Sequence, residues 1–329
     1  IIKDFDPKIK IFFLKIISHY LYPKIPKNIS KMPVVAALPA AVVLTNAGQS
    51  ATVVPSTTNF QNGNNTFGNW RLKIVQIADD EDGNYFIVND TEPQYNMIKN
   101  NHTEFNCEKI YLDAYPQQTT AGGERYPEVN LAINSCVERG ALIMHYVGHG
   151  GEVGLAQERV VTIPEIQSWR NINSLNLFVS DTCEFTRYDD PGRVSAGEWV
   201  SLNPNGASIA LMTTTRPVFF NVNTVTGVAF YNNVFQKDSD SLSLTFGEII
   251  RRTKNESGTQ ENKRSFTLIG DPALRISVPR YKVITDSING ENPSISIDTI
   301  KALSVVNIKG HIEDFQGVIM NSFSGVLSP

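Results

Sequence analysis

Five short apolar runs punctuate the chain from residue 71 onward, and each is apolar at consecutive rather than alternate positions. They are RLKIVQIADD (71–80), KIYLDAY (109–115), ALIMHYVGHG (141–150), LNLFVSDTCEF (175–185) and GASIALMTTTR (206–216). Runs of this length, rich in β-branched and aliphatic residues on both faces, predict parallel strands covered on both sides. Helical patterns separate them. In EVNLAINSCVERG, Val129, Ile133, Cys136 and Val137 share one face, and Gly140 supplies the stop. Thr162 with Glu165, Ser195 with Glu198 and Thr245 with Glu248 have the spacing of capping boxes at helix starts. The alternation predicts an α/β fold with a mainly parallel sheet flanked by helices.

The pattern changes at both ends. After FTLIGDPALRISVP the helical signal disappears, and SISIDTIKALSVVNIKGHIED alternates as antiparallel strands do. A β-sandwich module is therefore expected to begin near residue 280 and to be cut short at 329, so the chain reads as a fragment. Residues 1–66 are poorly assigned. KIKIFFLKIISHYLYPKIP has a basic start and an apolar middle, a faint signal-peptide pattern, yet it is too short to span a bilayer and lacks a convincing cleavage site. VVAALPAAVVL (34–44) reads as buried strand or helix. The expected organisation is thus an N-terminal segment (1–66), an α/β domain (67–279) and the start of a β-module (280–329).

Composition narrows the function. The 329 residues are 41% hydrophobic, enough for a sizeable core. A net charge of −4, with both signs mixed along the chain, leaves no footprint for nucleic acid. The three cysteines, Cys107, Cys136 and Cys183, make neither a disulfide framework nor a paired zinc motif.

Two of the predicted strands end in residues with chemistry. One ends in Gly148-His149-Gly150-Gly151, where glycines leave the imidazole uncovered and let other backbone come close. The next ends in Asp181-Thr182-Cys183-Glu184. Ligands of open α/β sheets bind at the carboxyl ends of strands, and consecutive strands tend to be neighbours. That places imidazole and thiol at one sheet edge. An imidazole there can take the thiol's proton and later protonate a leaving amine. His145 and His149 have metal-ligand spacing only on a helix, and this stretch reads as strand, so His145 is expected to serve packing and no metal site is assigned. Cys107, beside a strand, and Cys136, in a helix, read as structural.

The segments YVGHGGEVGLAQER, FVSDTCEFTRYDDPGRVSAGEW, NGASIALMTTTRPVF and FTLIGDPALRIS together resemble the gingipain-type cysteine peptidase family. FGNWRLKIVQIADDEDGNYFIVNDTE and the tail DTIKALSVVNIKGHIED are further similar to that family's sortases of the type IX secretion system. The resemblance implies a caspase-like domain followed by an immunoglobulin-like β-module. It implies Cys183 as nucleophile, His149 as general acid/base, and the backbone N–H groups of Gly150 and Cys183 as an oxyanion hole. Such enzymes can use an acidic residue to orient the histidine; Asp80, Asp90 and Glu92 are the candidates here. The acidic run at 78–82 is open between a solvated loop or cap, an orienter and a calcium ligand. Glu152 and Glu184 flank the pair, either as a substrate rim for a basic group or as solvated charges. The chemistry needs no cofactor, and a structural calcium is compatible with it.

For the sortases the resemblance implies cell-surface work on secreted cargo. A C-terminal sorting signal is cleaved and the acyl group passes to an amine on lipopolysaccharide, alongside other secretion components. Two alternatives stand beside this: a secreted gingipain-like endopeptidase, and a surface binding module that has lost activity.

Overall fold

The structure, a computed structural model, describes residues 66, 68–258, 261–278, 281–295, 300, 303–314 and 316–322. The leader-like pattern and the 34–44 run lie outside these residues. Six strands form the central sheet: β1 Lys73–Ala78, β2 Asn106–Tyr111, β3 Ile143–Val147, β4 Asn176–Asp181, β5 Ser208–Thr214 and β6 Phe266–Ile269. Their order across the sheet is β6-β5-β4-β3-β1-β2. Every pairing is parallel except the edge pair β5/β6. The three strands β3, β4 and β5 are buried along their whole length, which accounts for their unbroken apolar runs.

Alternate side chains feed two cores. Ile143, Leu177 and Val179 face one layer with Ile98 of α1 (Glu92–Asn101). Phe230, Tyr231 and Val234 of α5 (Phe220–Val234), and Phe246 and Ile249 of α6 (Phe246–Glu256), join the same layer. Met144, Tyr146 and Phe178 face the opposite layer, built on Val129, Ile133, Cys136 and Val137 of α2 (Pro127–Arg139). Ile166 of α3 (Ile163–Ser168) and Val200 of α4 (Ala196–Leu202) complete it. A sheet sandwiched by helices follows, as the alternation of strand and helix requires.

Local signals placed the helices well. Thr162 with Glu165 and Ser195 with Glu198 form complete capping boxes. The third box is half-formed: Thr245 Oγ1 accepts from Glu248 N at 3.3 Å. The Glu248 carboxylate instead accepts from Arg251 Nε and Arg252 Nε, each at 2.7 Å, because charged partners one turn away outcompete a neutral amide. Those two arginines hold the Glu248 carboxyl down at about 2. The second strand begins and ends earlier than its apolar run suggests. Leu112–Ala114 turns into a 3-10 helix, and Cys107 lies inside β2 rather than beside it.

Beyond the α/β domain, β7 (Tyr281–Ile288) and β8 (Ile308–Asp314) pair antiparallel, with an irregularity between Thr285 and Ser287.

Candidate active site

The site forms at the carboxyl edge of β3 and β4. These strands pair in parallel, with Val147 opposite Asp181. His149 and Cys183 therefore follow their strands by the same two residues. The loops that carry them touch. Gly148 N donates to Asp181 O at 3.4 Å, and a Cβ on Gly150 would fall 2.7 Å from Thr182 Oγ1. Gly148 has φ 153, and a Cβ there would collide with Asp79 and sit 2.8 Å from the Tyr146 hydroxyl. Only glycine fits that approach.

The His149 loop is held from β1. Ala78 pairs with Val147, so the next residue, Asp79, lies beside Gly148. Its buried carboxylate accepts from His149 N at 2.8 Å and from the Tyr146 hydroxyl at 3.4 Å. Burial raises the Asp79 pKa, with the two backbone amides of His149 and Glu81 opposing it. The imidazole itself meets Asp82: His149 Nε2 lies 3.1 Å from Asp82 Oδ2, with the side chains 41% and 49% exposed. The Phe86 ring stands edge-on to the imidazole at 5.3 Å between centroids. Asp82, Gly83 and Asn84 are three consecutive residues at φ of 54, 67 and 61. Left-handed backbone at Asp and Asn is costly, and here it turns the Asp82 carboxylate back toward His149.

The thiol is half-buried. Cys183 Sγ lies 3.4 Å from both the N and the O of Val218, in the segment between β5 and α5. Glu184 follows at φ 48, its N–H donating to Arg216 O at 3.3 Å, so the chain turns sharply just after the thiol. No acceptor among the described residues is bonded to the Cys183 N–H. Ala156 N donates to His149 O at 2.9 Å, which makes Gly150 and Leu155 a non-hydrogen-bonded pair of the short hairpin. In such a pair the Gly150 N–H points away from its partner strand.

The other site candidates have different company. Asp80 accepts from the Tyr126 hydroxyl at 2.6 Å. Asp90 is buried with Gln94 and Thr224, and burial with the nearby Asp181 charge raises its pKa well above the usual range. Glu92 pairs with Lys109 at 2.5 Å. None of the three touches His149 among the described residues; the acid at the imidazole is Asp82, within the 78–82 run that was open between loop and orienter. Sequence reasoning also missed Asp79, although its position one residue past a strand adjoining β3 was the available signal. Glu152 pairs with Arg187 at 3.0 Å and Arg193 at 3.3 Å, and Glu184 pairs with Arg187 at 3.4 Å. Both rim carboxylates are thus already compensated. Among the described residues no group of three or more His, Cys, Asp or Glu is arranged to hold a metal.

Asp82→Ala is expected to lower turnover modestly. The Asp82–His149 bond is half in water, so its loss removes about 1 kcal/mol, roughly five- to tenfold in rate. Steady-state kinetics at constant melting temperature check this; an unchanged rate would remove Asp82 from the machinery.

Residues 42–277 match the family model of peptidase family C25. No curated protein matches the chain in sequence. Among solved structures, the chain is similar to the Arg-specific cysteine proteinase gingipain R (RgpB), at 15% identity and a TM-score of 0.55, over 70% of this chain and 54% of that one. It is similar at 16% identity and a TM-score of 0.55 to a complex of RgpB pro- and mature domains from Porphyromonas gingivalis, over 70% of this chain and 55% of that one. Dimeric latent PorU from Porphyromonas gingivalis also matches at 16% identity and a TM-score of 0.25, over 77% of this chain and 34% of that one. At these identities the likeness to the gingipain structures shows the fold, a gingipain-like, caspase-like α/β sheet. The chain spans about half the length of the gingipain structures it matches.

Proposed function

Because the chain belongs to peptidase family C25, we propose that it is a cysteine peptidase with Cys183 as nucleophile and His149 as general acid/base. One observation supports this most: thiol and imidazole occupy equivalent positions past two paired parallel strands, with their loops in contact. The imidazole is bonded to Asp82 through Nε2, and its Nδ1 has no hydrogen-bond partner among the described residues. Nδ1 is then the atom that exchanges a proton with thiol and leaving group.

The chemistry follows from these groups. The Cys183 thiolate adds to a peptide carbonyl, and the oxyanion accepts from the N–H groups of Gly150 and Cys183. His149 protonates the departing amine, which leaves a thioester on Cys183. His149 then deprotonates the second nucleophile, water or an amine, as it attacks the thioester, and collapse of the adduct breaks the C–S bond and releases the Cys183 thiolate. Asp82 holds the imidazole through Nε2 and so leaves Nδ1 for proton exchange, and Asp79 fixes the backbone that carries the ring.

The finer reading is a sortase of the type IX secretion pathway. It cleaves C-terminal sorting signals from secreted cargo at the outer cell surface and passes the acyl group to an amine of lipopolysaccharide, working beside other components of that pathway. Support comes from the similarity of the segments around Cys183 and of the β-rich tail to those sortases. An immunoglobulin-like module after residue 280 belongs to the same reading, as does the absence of any cofactor requirement. Among the described residues no helix is long and apolar enough to cross a membrane.

A sortase and a hydrolase differ in what resolves the thioester. Amines are better nucleophiles than water toward thioesters, provided the cleft admits them. A cargo-tail peptide alone is therefore expected to hydrolyse slowly, and a primary amine should divert it to a new amide in proportion to amine concentration. Product analysis by mass spectrometry reads the partition. Efficient hydrolysis indifferent to added amine assigns the protein as an endopeptidase instead.

A further inference from the structure

The face of the sheet under the two catalytic loops holds a buried polar pair, with Gln76, Asp90, Gln94 and Asn223 buried around it and the apolar layer beyond. His145, four residues before His149, and Asp181, two before Cys183, are both fully buried. His145 Nε2 lies 3.1 Å from Asp181 Oδ2, and His145 Nδ1 lies 3.3 Å from the Tyr231 hydroxyl on α5. The packing role expected of His145 from sequence is thus incomplete, since both ring nitrogens have partners.

Asp181 is bonded on three sides. Its carboxylate meets β3 through His145, and its carbonyl accepts from Gly148 N, the residue before His149, at 3.4 Å. The same carbonyl accepts from Asn223 Nδ2 of α5 at 3.1 Å. Helix α5 follows Val218, whose backbone touches Cys183 Sγ. It packs closely on this pair: a Cβ on Gly227 would lie 3.2 Å from Asp181 Oδ2. The strand of the base, the strand of the nucleophile and the helix behind the thiol therefore meet at one residue.

Stability alone does not account for such a pair. A buried ion pair or polar pair is often no better than apolar residues of the same volume, because desolvation offsets the attraction. What it supplies is one preferred arrangement: Asp181 Oδ1 has no hydrogen-bond partner, and Oδ2 and both imidazole nitrogens find theirs only when β3, β4 and α5 are in this register. We propose that the His145–Asp181 pair is a positioning device that holds the Cys183 loop against the His149 loop. The inference rests on the assignment of Cys183 and His149 made above.

Two thiol reagents separate positioning from mere folding. Iodoacetamide needs only a reachable thiolate, whereas a peptidyl acyloxymethyl ketone also needs the imidazole and the oxyanion-binding amides in place. In His145→Leu, which keeps the volume and loses the bonds, inactivation by the peptidyl ketone is expected to slow by about 100-fold. Iodoacetamide labelling of Cys183 should stay near the wild-type rate. His145→Gln, whose amide can donate to Asp181, should recover much of the lost rate. If His145→Leu does not fold, Asp181→Leu against Asp181→Asn makes the same comparison: the first removes the acceptor and should slow the peptidyl ketone alone, and the second retains an acceptor and should keep most of the rate. Wild-type reactivity of His145→Leu toward both reagents would overturn the proposal. So would a parallel fall in both rates with melting temperature, or no recovery in His145→Gln. Cys183→Ala is the separate control: reaction persisting there defeats the assignment of the nucleophile, not the positioning pair.

Discussion

Replacing Cys183 with alanine is expected to lower turnover by at least about 10³-fold, because the covalent route then has no nucleophile. The fold should survive. Cys183 is half-buried at a strand end, its sulfur 3.4 Å from the N and O of Val218 and packed only at the margin of one core, so the lost packing is worth about 1 kcal/mol or less. The melting temperature should move by no more than a few degrees, by roughly the shift that 1 kcal/mol gives a domain of this size. Retained turnover at unchanged stability would refute the covalent route. Loss of both turnover and the cooperative melt would show instead that the thiol is structural, as Cys136 is in α2.

His149→Ala is the second large effect. General acid/base catalysis by a placed side chain contributes about 10² to 10⁴-fold, and losses in that range are expected here. Stability should again change little, since the imidazole is 41% exposed and its bond to Asp82 is half in water. His149→Gln should be no better, because an amide cannot cycle a proton. His145 offers the contrast: it is fully buried and bonded at both nitrogens, so its replacement bears on melting temperature as well as rate. Turnover kept near the wild-type rate in His149→Ala at unchanged melting temperature would count against His149 as proton carrier.

Much of this arrangement was legible in the chain because the physics is local. Runs apolar on both faces could only be covered strands, and Thr162-Glu165 and Ser195-Glu198 announced their helices through backbone amides three residues away. Adjacent strands brought His149 and Cys183 to one edge without any knowledge of side-chain geometry. What escaped was set by tertiary register and by backbone conformation. Asp82 reaches His149 only because three successive residues adopt left-handed φ, which no pattern of hydrophobicity encodes. Asp90 and Glu92 were drawn elsewhere by Gln94, Thr224 and Lys109, partners placed by helix and strand packing. Glu152 and Glu184 looked free until Arg187 folded between them. The His145–Asp181 pair was hidden for a similar reason, as a histidine in an apolar strand reads as packing until its cross-strand neighbour is known.

The central claim, that Cys183 is the reactive nucleophile, is tested most directly by limited labelling of the native chain. It is treated at neutral pH with a peptide-based thiol reagent, and the modified cysteine is mapped by mass spectrometry. Burial pushes the Cys107 and Cys136 thiols up to about 11, so each is almost wholly protonated at neutral pH. The account predicts modification at Cys183 alone, lost in Cys183→Ala and slowed in His149→Ala. Label on Cys107 or Cys136 in the folded protein, with Cys183 unmodified, would contradict it.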